Sequence, residues 1–289
     1  MKRIATPIVL TFLLLISFAS NGQYTVYKKN KSYLALIGGF NYSIPDVTDR
    51  YGVLSGTNTP DAETNDKDYV KFGKNNGTQF GIRYSFNFLN TLSAVIGFGY
   101  QTQSFNYRTY YTWSDSISNQ NFEREMYHKQ QLSYFTVPIM ARWDLTERQL
   151  KPYVQGGLFM DFRHQAGKII SYDNMIDEQE MASQASSSGW GDITANTQKF
   201  NMGLLAGAGV HYYTKYVTFG VETNFRYGVM KVVNDEMRYA DQNDFALQYL
   251  DVLDQLKLSA LNIQFSLSVP ISNSVTYDIL RKSRYKRKQ

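Results

Sequence analysis

The feature that most constrains this chain is a period-two alternation of apolar and polar residues that recurs in eight separate segments. The clearest runs from Gln79 to Phe88, where every second residue is aromatic or aliphatic. Because successive side chains of a β-strand point to opposite faces, such a segment predicts a strand with one apolar face. The abundance of Tyr (23) and Phe (18) and the scarcity of Pro (6) favour the same structure. The sequence therefore predicts an all-β fold.

The connections between these segments alternate strictly between long and short. Long polar stretches lie at about 43–75, 106–129, 164–196 and 229–256, and short turns lie at 90–91, 146–151 and 214–216. A membrane barrel alternates long outer loops with short periplasmic turns, whereas a soluble β-sandwich gives no reason for this order. We therefore expect an eight-stranded antiparallel up-and-down transmembrane β-barrel with four long extracellular loops over residues 33–270. A soluble periplasmic sheet protein is the structural alternative.

Both ends of the chain carry separate signals. Residues 1–22 predict a signal peptide, with Lys2 and Arg3 before an apolar run from Ile8 to Ala19. That run is short for a membrane helix of about 20 residues, although an uncleaved anchor is the alternative. Residues 23–32 are expected to form a periplasmic N-terminal segment, and 271–289 a basic periplasmic tail that is either solvated or a tether to acidic partners. The predicted location is the outer membrane, with its lipid as the surroundings.

The charge distribution argues against nucleic-acid binding. The formal charge is +5, but eight of the 30 basic residues lie in the leader and in the last nine residues, which leaves 22 basic against 25 acidic residues between them. The chain also has no Cys, so disulfides, thiolate nucleophiles and Cys-bound metals are excluded.

The inward-facing positions predict a filled lumen. An eight-stranded barrel is only wide enough inside for its own side chains, and a buried charge is costly unless it is paired. We therefore expect a structural salt-bridge network in the lumen rather than an ion pathway. Its members are Arg83, Arg142, Asp161, Glu222 and Arg226.

Catalytic and metal-binding motifs are weak. Of the three His, His128 and His164 are expected near the outer rim and His211 near the periplasmic end. A rim metal site with Asp161 or Glu125 lacks close ligand spacing. The His-x-Ser pattern of barrels that deacylate lipid A is absent. We predict no catalytic residue, no metal and no cofactor.

Two segments resemble the PorT-like outer-membrane β-barrel family of Bacteroidetes. Tyr134–Leu145 reads YFTVPIMARWDL and Pro152–Phe162 reads PYVQGGLFMDF, which is similar to a family pattern of a strand with an embedded proline, a short turn and a Lys-Pro-Tyr strand. The resemblance extends loosely over about 30–270. It implies an eight-stranded barrel and, from the family's namesake, a part in type IX secretion. Many such barrels end on an aromatic residue, whereas this chain continues past Val269 into the basic tail.

Three functional hypotheses follow. The first is a non-enzymatic barrel whose outer loops, and possibly the tail, bind or assemble with another envelope protein. The second is an accessory component of type IX secretion or gliding, which the resemblance implies. The third is a rim-located surface hydrolase, which would need a nucleophile near His128 or His164. The sequence does not identify a ligand, a partner or an oligomeric state.

Overall fold

The computed structural model describes residues 29–52, 67–70, 74–115, 120–176, 179–180, 188–214, 216–239 and 251–272. The predicted signal peptide and nearly all of the basic tail lie outside these residues. Short strands occur at Asp68–Tyr69, Gln179–Glu180 and Ser188–Asp192, and one 3-10 turn at Asp235–Met237. The eight long strands are β1 Ser32–Asp49, β2 Asn76–Asn87, β3 Leu92–Asp115, β4 Gln120–Asp144, β5 Leu150–Ile176, β6 Phe200–Tyr213, β7 Thr218–Gly228 and β8 Gln255–Ser272.

The eight long strands form a closed antiparallel ring. Each pairs with its neighbours in chain order, from β1 with β2 through to β7 with β8. The first and last strands also pair, with Leu34 opposite Val269 and Phe40 opposite Ile263. Within the described ring, closure gives each of the eight strands a partner on both sides, as a β-structure in lipid requires. The predicted eight-stranded up-and-down barrel is confirmed.

The sequence alternation sets which side chains face outward. Along β7, buried and exposed residues alternate at every position from Thr218 to Gly228. Outward-facing exposed apolar side chains form a band around the barrel. On most strands the band spans about the 9–11 residues that a strand needs to cross a membrane. The band covers 34–44 of β1, 80–88 of β2, 92–98 of β3, 135–143 of β4, 150–162 of β5, 202–212 of β6, 219–227 of β7 and 261–271 of β8.

Three strands continue far beyond this band. The stretch 106–129, predicted as a loop, is mostly a hairpin, because β3 runs to Asp115 and β4 begins at Gln120. β5 likewise extends to Ile176. Each projects roughly 15 residues past the band, or about 50 Å at about 3.3 Å per residue. The loop prediction was wrong here because the outward positions turn polar or charged, as at Arg108 and Glu125, while the backbone pairing continues.

The connecting segments fold onto the inward face of this extension and form what we call the cap. We define the cap as residues 47–52, 67–70, 193–198, 229–239 and 251–258 together with the strand residues 105–109, 126–134 and 166–170. Leu253, just before β8, and Leu256 in β8 are buried in the cap. The apolar core of the cap comprises Phe105, Tyr107, Leu132, Tyr134, Ala166, Ile193, Val232, Val233, Leu253, Leu256 and Leu258.

Candidate functional site in the lumen and cap

Three of the charged residues predicted for the lumen meet at one carboxylate. Glu222 on β7 accepts a hydrogen bond from Arg83 Nη1 at 2.6 Å and lies 3.4 Å from Arg142 Nη2. Tyr153 donates its hydroxyl to the same carboxylate at 2.6 Å. The guanidinium of Arg142 also lies 4.4 Å from the centre of the Tyr153 ring. Glu222 is 1% exposed, so these partners replace the water that a buried charge would otherwise need.

The other two predicted residues form a second pair higher in the barrel. Arg226 Nη2 lies 2.7 and 2.8 Å from the two oxygens of Asp161, and Gln101 donates to that carboxylate at 3.2 Å. Arg226 also lies 3.9 Å from the centre of the Phe159 ring. The five residues therefore fall into two groups on opposing strands. Sequence reasoning missed Tyr153 and Gln101, although both occupy inward positions of the same alternation.

Side chains fill the lumen between these groups. The Tyr153 and Phe159 rings lie over Gly209 and Gly203, where a Cβ atom would come within 2.6 Å of the ring or hydroxyl above it. A cavity bordered by Arg83 and Arg226 measures about 20 Å³. That is room for about one water molecule.

At the base of the barrel, where the short turns lie, the described part of the N-terminal segment contacts two other strands. Lys29 is buried and forms an ion pair with Asp144, the last residue of β4. Its backbone N–H donates to Asn90 Oδ1 at 3.2 Å, in the turn between β2 and β3. Lys29 therefore ties the chain before β1 to two other strands at the barrel base.

A further buried cluster lies in the cap around Asp251, which the sequence analysis did not identify. Asp251 Oδ2 pairs with Lys168 of β5 and accepts the Tyr107 hydroxyl of β3 at 2.6 Å. Its Oδ1 lies 3.2 Å from Lys67, and its Oδ2 lies 3.4 Å from His128 Nδ1 of β4. One carboxylate thus joins three barrel strands to the connection before β2. No periodic pattern marks Asp251, because it lies in an irregular segment.

A second carboxylate reinforces the same cluster. Asp254 lies 2.9 Å from Lys67 Nζ and accepts the Tyr69 hydroxyl at 2.9 Å. It also accepts the backbone N–H of Tyr51 at 2.9 Å. Asp251 and Asp254 together fasten the segment before β8 to the segments that follow β1.

Burial and neighbouring charges set the protonation states of this cluster, which lies outside the membrane-spanning segments. Burial alone would raise the pKa of Asp251, but Lys168, Lys67 and His128 outweigh it and hold that pKa well below its usual value. Burial lowers the pKa of His128 to about 3. Burial also raises the pKa of Tyr107 well above its usual value. At neutral pH the cluster holds a carboxylate, a neutral imidazole and a neutral phenol.

The three His occupy different environments. His128 Nε2 lies 2.8 Å from Thr109 Oγ1, so a hydroxyl, an imidazole and the Asp251 carboxylate stand in series. Thr109 and His128 are each 1% exposed, and this burial leaves a substrate no approach to the hydroxyl. His164 is exposed on the outer wall beside the Phe135 ring, and His211 is buried near the base. The structure therefore does not bring His128 and His164 together.

Comparison with known proteins identifies the family. A family model described as "Outer membrane protein beta-barrel domain" matches residues 38–234, which is more than half of the chain. The chain belongs to the outer membrane protein beta-barrel domain family. Comparison with curated proteins found no match. Membership of this family places the barrel in the outer membrane and assigns the apolar band to its lipid.

Several solved outer-membrane proteins are similar at low identity. Neisserial surface protein A is 14% identical, with 83% of this chain and 97% of that chain covered and a TM-score of 0.37. OprG from Pseudomonas aeruginosa is 12% identical, with 84% and 99% covered and a TM-score of 0.39. Ail of Yersinia pestis, solved with a heparin analogue, is 11% identical, with 82% and 99% covered and a TM-score of 0.27. Scores this low say nothing about a shared function.

Two features are absent from the described residues. In the part of the chain that the structure describes, no helix is long and apolar enough to cross a membrane. The same residues contain no group of three or more His, Cys, Asp or Glu side chains that could hold a metal ion.

Proposed function

We propose that this protein is a non-enzymatic outer-membrane barrel that binds or assembles with another envelope component through its projecting β3–β4 hairpin and cap. The observation that carries this proposal is the contrast between a filled lumen and strands that project beyond the lipid band. Among the described residues, Tyr153, Phe159 and the two charged groups occupy the lumen, and the cavity beside Arg83 and Arg226 measures about 20 Å³, which does not suit a diffusion pore. The strands meanwhile continue far outside the lipid band, where a binding surface would be accessible.

The outward face of the hairpin carries side chains that suit protein recognition. Glu125 accepts the hydroxyls of Tyr110 at 2.9 Å and Tyr127 at 2.7 Å, and it pairs with Arg108 at 3.1 Å. Tyr110 is 47% exposed. We call these four residues the hairpin patch. Tyr and Arg are enriched where protein interfaces concentrate their binding energy, and the shared carboxylate holds the patch in a fixed arrangement.

The structure permits a clean truncation test. Tyr110 and Glu125 are direct cross-strand partners, so replacing 111–124 with Asn-Gly leaves a two-residue hairpin turn. A photo-crosslinking residue in place of Arg108 should give a discrete adduct with the partner in intact cells. The truncation, or the double change Tyr110→Ser/Tyr127→Ser, should abolish this adduct. A crosslinker at the lipid-facing Thr223 is the matched control. An identical adduct at both positions, or loss of the folded barrel on truncation, would contradict the proposal.

The resemblance to PorT-like barrels makes the type IX secretion machinery one assembly to test. The identity of the crosslinked adduct answers this directly. Normal cargo secretion by a deletion strain would remove that assembly from consideration.

A further inference from the structure

The outer wall of β2–β5 differs from the rest of the barrel just above the lipid band. A groove of about 540 Å³ lies there, bordered by Phe40, Thr78, Thr102, Ser104 and Gln131 among others. A second depression of about 150 Å³ adjoins it and shares Gln131. Its other walls are Ser133, Gln165 and Gly167. Together the two depressions form what we call the polar belt. Its described lining consists of hydroxyl and amide side chains with Phe40 and two glycines, and includes no charged side chain.

The belt exists because side chains replace part of the β2–β3 ladder. Regular pairing of these strands starts at Gln79 opposite Gln101. Above it, Thr102 Oγ1 accepts the Thr78 backbone N–H at 3.0 Å, and Ser104 Oγ donates to the Asn76 carbonyl at 2.6 Å. The hydroxyl of Thr102, which is half-buried, and that of the buried Ser104 are thereby held in fixed positions in this wall.

The layers below and above the belt are chemically distinct. Directly below, outward-facing rings form a continuous row, with 5.5 Å between the ring centres of Phe80 and Tyr100, 5.6 Å between Tyr100 and Phe135, and 5.4 Å between Phe135 and His164. Above the belt, the next outward-facing residue of β4 after Gln131 is the exposed Lys129. From lipid to solvent this wall therefore presents aromatic rings, then uncharged hydroxyls and amides, then a cation. On the opposite wall, exposed apolar residues continue past the end of β7 at Val229 and Met230.

We propose that the polar belt of β2–β5 is a binding site for the sugar headgroup of an outer-leaflet glycolipid, with its acyl chains along the aromatic row and its phosphate beside Lys129. Continuity with the lipid-facing band favours a membrane lipid over a soluble ligand, because a bound lipid keeps its chains in the bilayer. The belt itself suits sugar hydroxyls because its described lining carries no charged side chain, whereas the phosphate of the same lipid lies outside the belt at Lys129. The volume is that of an ordinary small-ligand site. This inference is independent of any partner at the hairpin patch.

The test is lipid binding by the full refolded protein in a detergent without a sugar headgroup, measured by native mass spectrometry. The probes are a short-chain lipopolysaccharide, phosphatidylglycerol, and the free oligosaccharide of the same lipopolysaccharide. Thr102→Val/Gln131→Leu keeps the side-chain sizes and removes the polar groups. We expect it to weaken lipopolysaccharide binding by about tenfold, since each lost hydrogen bond is typically worth several-fold in affinity. Phosphatidylglycerol binding should not change.

Two controls make the test specific. Thr223→Val removes an exposed outward hydroxyl on β7, away from the belt, and should leave lipopolysaccharide binding unchanged. Lys129→Gln should weaken binding of the phosphorylated glycolipid but not of its dephosphorylated form. Equal binding of phosphatidylglycerol and lipopolysaccharide by the unmodified protein, equal binding of the free oligosaccharide, or full affinity in a folded Thr102→Val/Gln131→Leu protein would each overturn the proposal.

Discussion

Replacing Asp251 should open the cap while leaving the barrel closed. Asp251→Asn keeps the side-chain shape but removes the charge that Lys168 and Lys67 share. Lys67 keeps Asp254 at 2.9 Å, whereas Lys168 is left fully buried beside a neutral amide. Breaking a buried ion pair by removing one partner costs about 3–5 kcal/mol. Because each 1.36 kcal/mol is about a tenfold change in an equilibrium constant, the open cap should become roughly two to four orders of magnitude more populated.

Hydrogen exchange measures this opening locally. Peptides covering 67–70 and 251–258 should exchange faster by that factor, while the membrane strands should not change. One protected probe is the Val70 N–H, which donates to the Asn106 carbonyl at 2.9 Å. Asp68→Asn, which alters an exposed carboxylate in the same cap, is the matched control. Adding Lys168→Met should recover much of the loss. Exchange in Asp251→Asn that matches the Asp68→Asn control would refute the reasoning.

Three further predictions address the lumen, the pH response and the barrel wall. Glu222→Gln leaves Arg83 and Arg142 without their shared carboxylate and should lower the stability of the barrel by about 3–5 kcal/mol. Heat-modifiability gels should show unfolding at a lower denaturant concentration for this variant but not for the control Thr223→Val. Because the pKa of His128 is about 3 in the closed cap and about 6.5 when exposed, the open cap takes up the proton first. The cap should therefore be at its most stable above about pH 6.5 and lose up to about 1.4 kcal/mol of stability per pH unit towards pH 3. Hydrogen-exchange rates corrected for pH measure this loss, and the same pH dependence in His128→Gln would contradict the assignment to His128. Gly97→Ala places a Cβ 3.0 Å from Pro138 Cγ and should cost about 1 kcal/mol, which Pro138→Ala should relieve; no rescue in the double variant would contradict that contact.

The period-two alternation predicted the strands and their outward faces, and the strict order of long and short connections then favoured a barrel over a sandwich. Most outward positions of a spanning strand are apolar because they face lipid. Segments such as Thr218–Gly228 therefore carry the pattern without interruption. The same requirement ends where the lipid ends. Beyond the band, the outward residues of β3 and β4 become polar or charged, as at Arg108 and Glu125, and no periodic signal distinguishes a projecting hairpin from a loop.

The charged groups were predictable to different degrees. The five lumen charges could be named in advance because a charged side chain at an inward strand position must pair with another group inside the barrel. These are Arg83, Arg142, Asp161, Glu222 and Arg226. Their division into two groups depends on how far neighbouring strands are offset along their length, and this offset cannot be read from the sequence of one strand. Asp251 and Asp254 lie in an irregular segment whose partners come from residues more than 80 positions away, such as Lys168, so no local pattern marks them.

The most direct test of a filled barrel that acts through its outer surface is ion conductance of the full refolded protein in a planar lipid bilayer. We expect no stable ohmic current from the unmodified protein, because Tyr153, Phe159 and the two charged groups occupy the lumen. The folded state is verified on the same sample by heat modifiability. A steady open-channel conductance from that folded protein would show that the lumen is not filled.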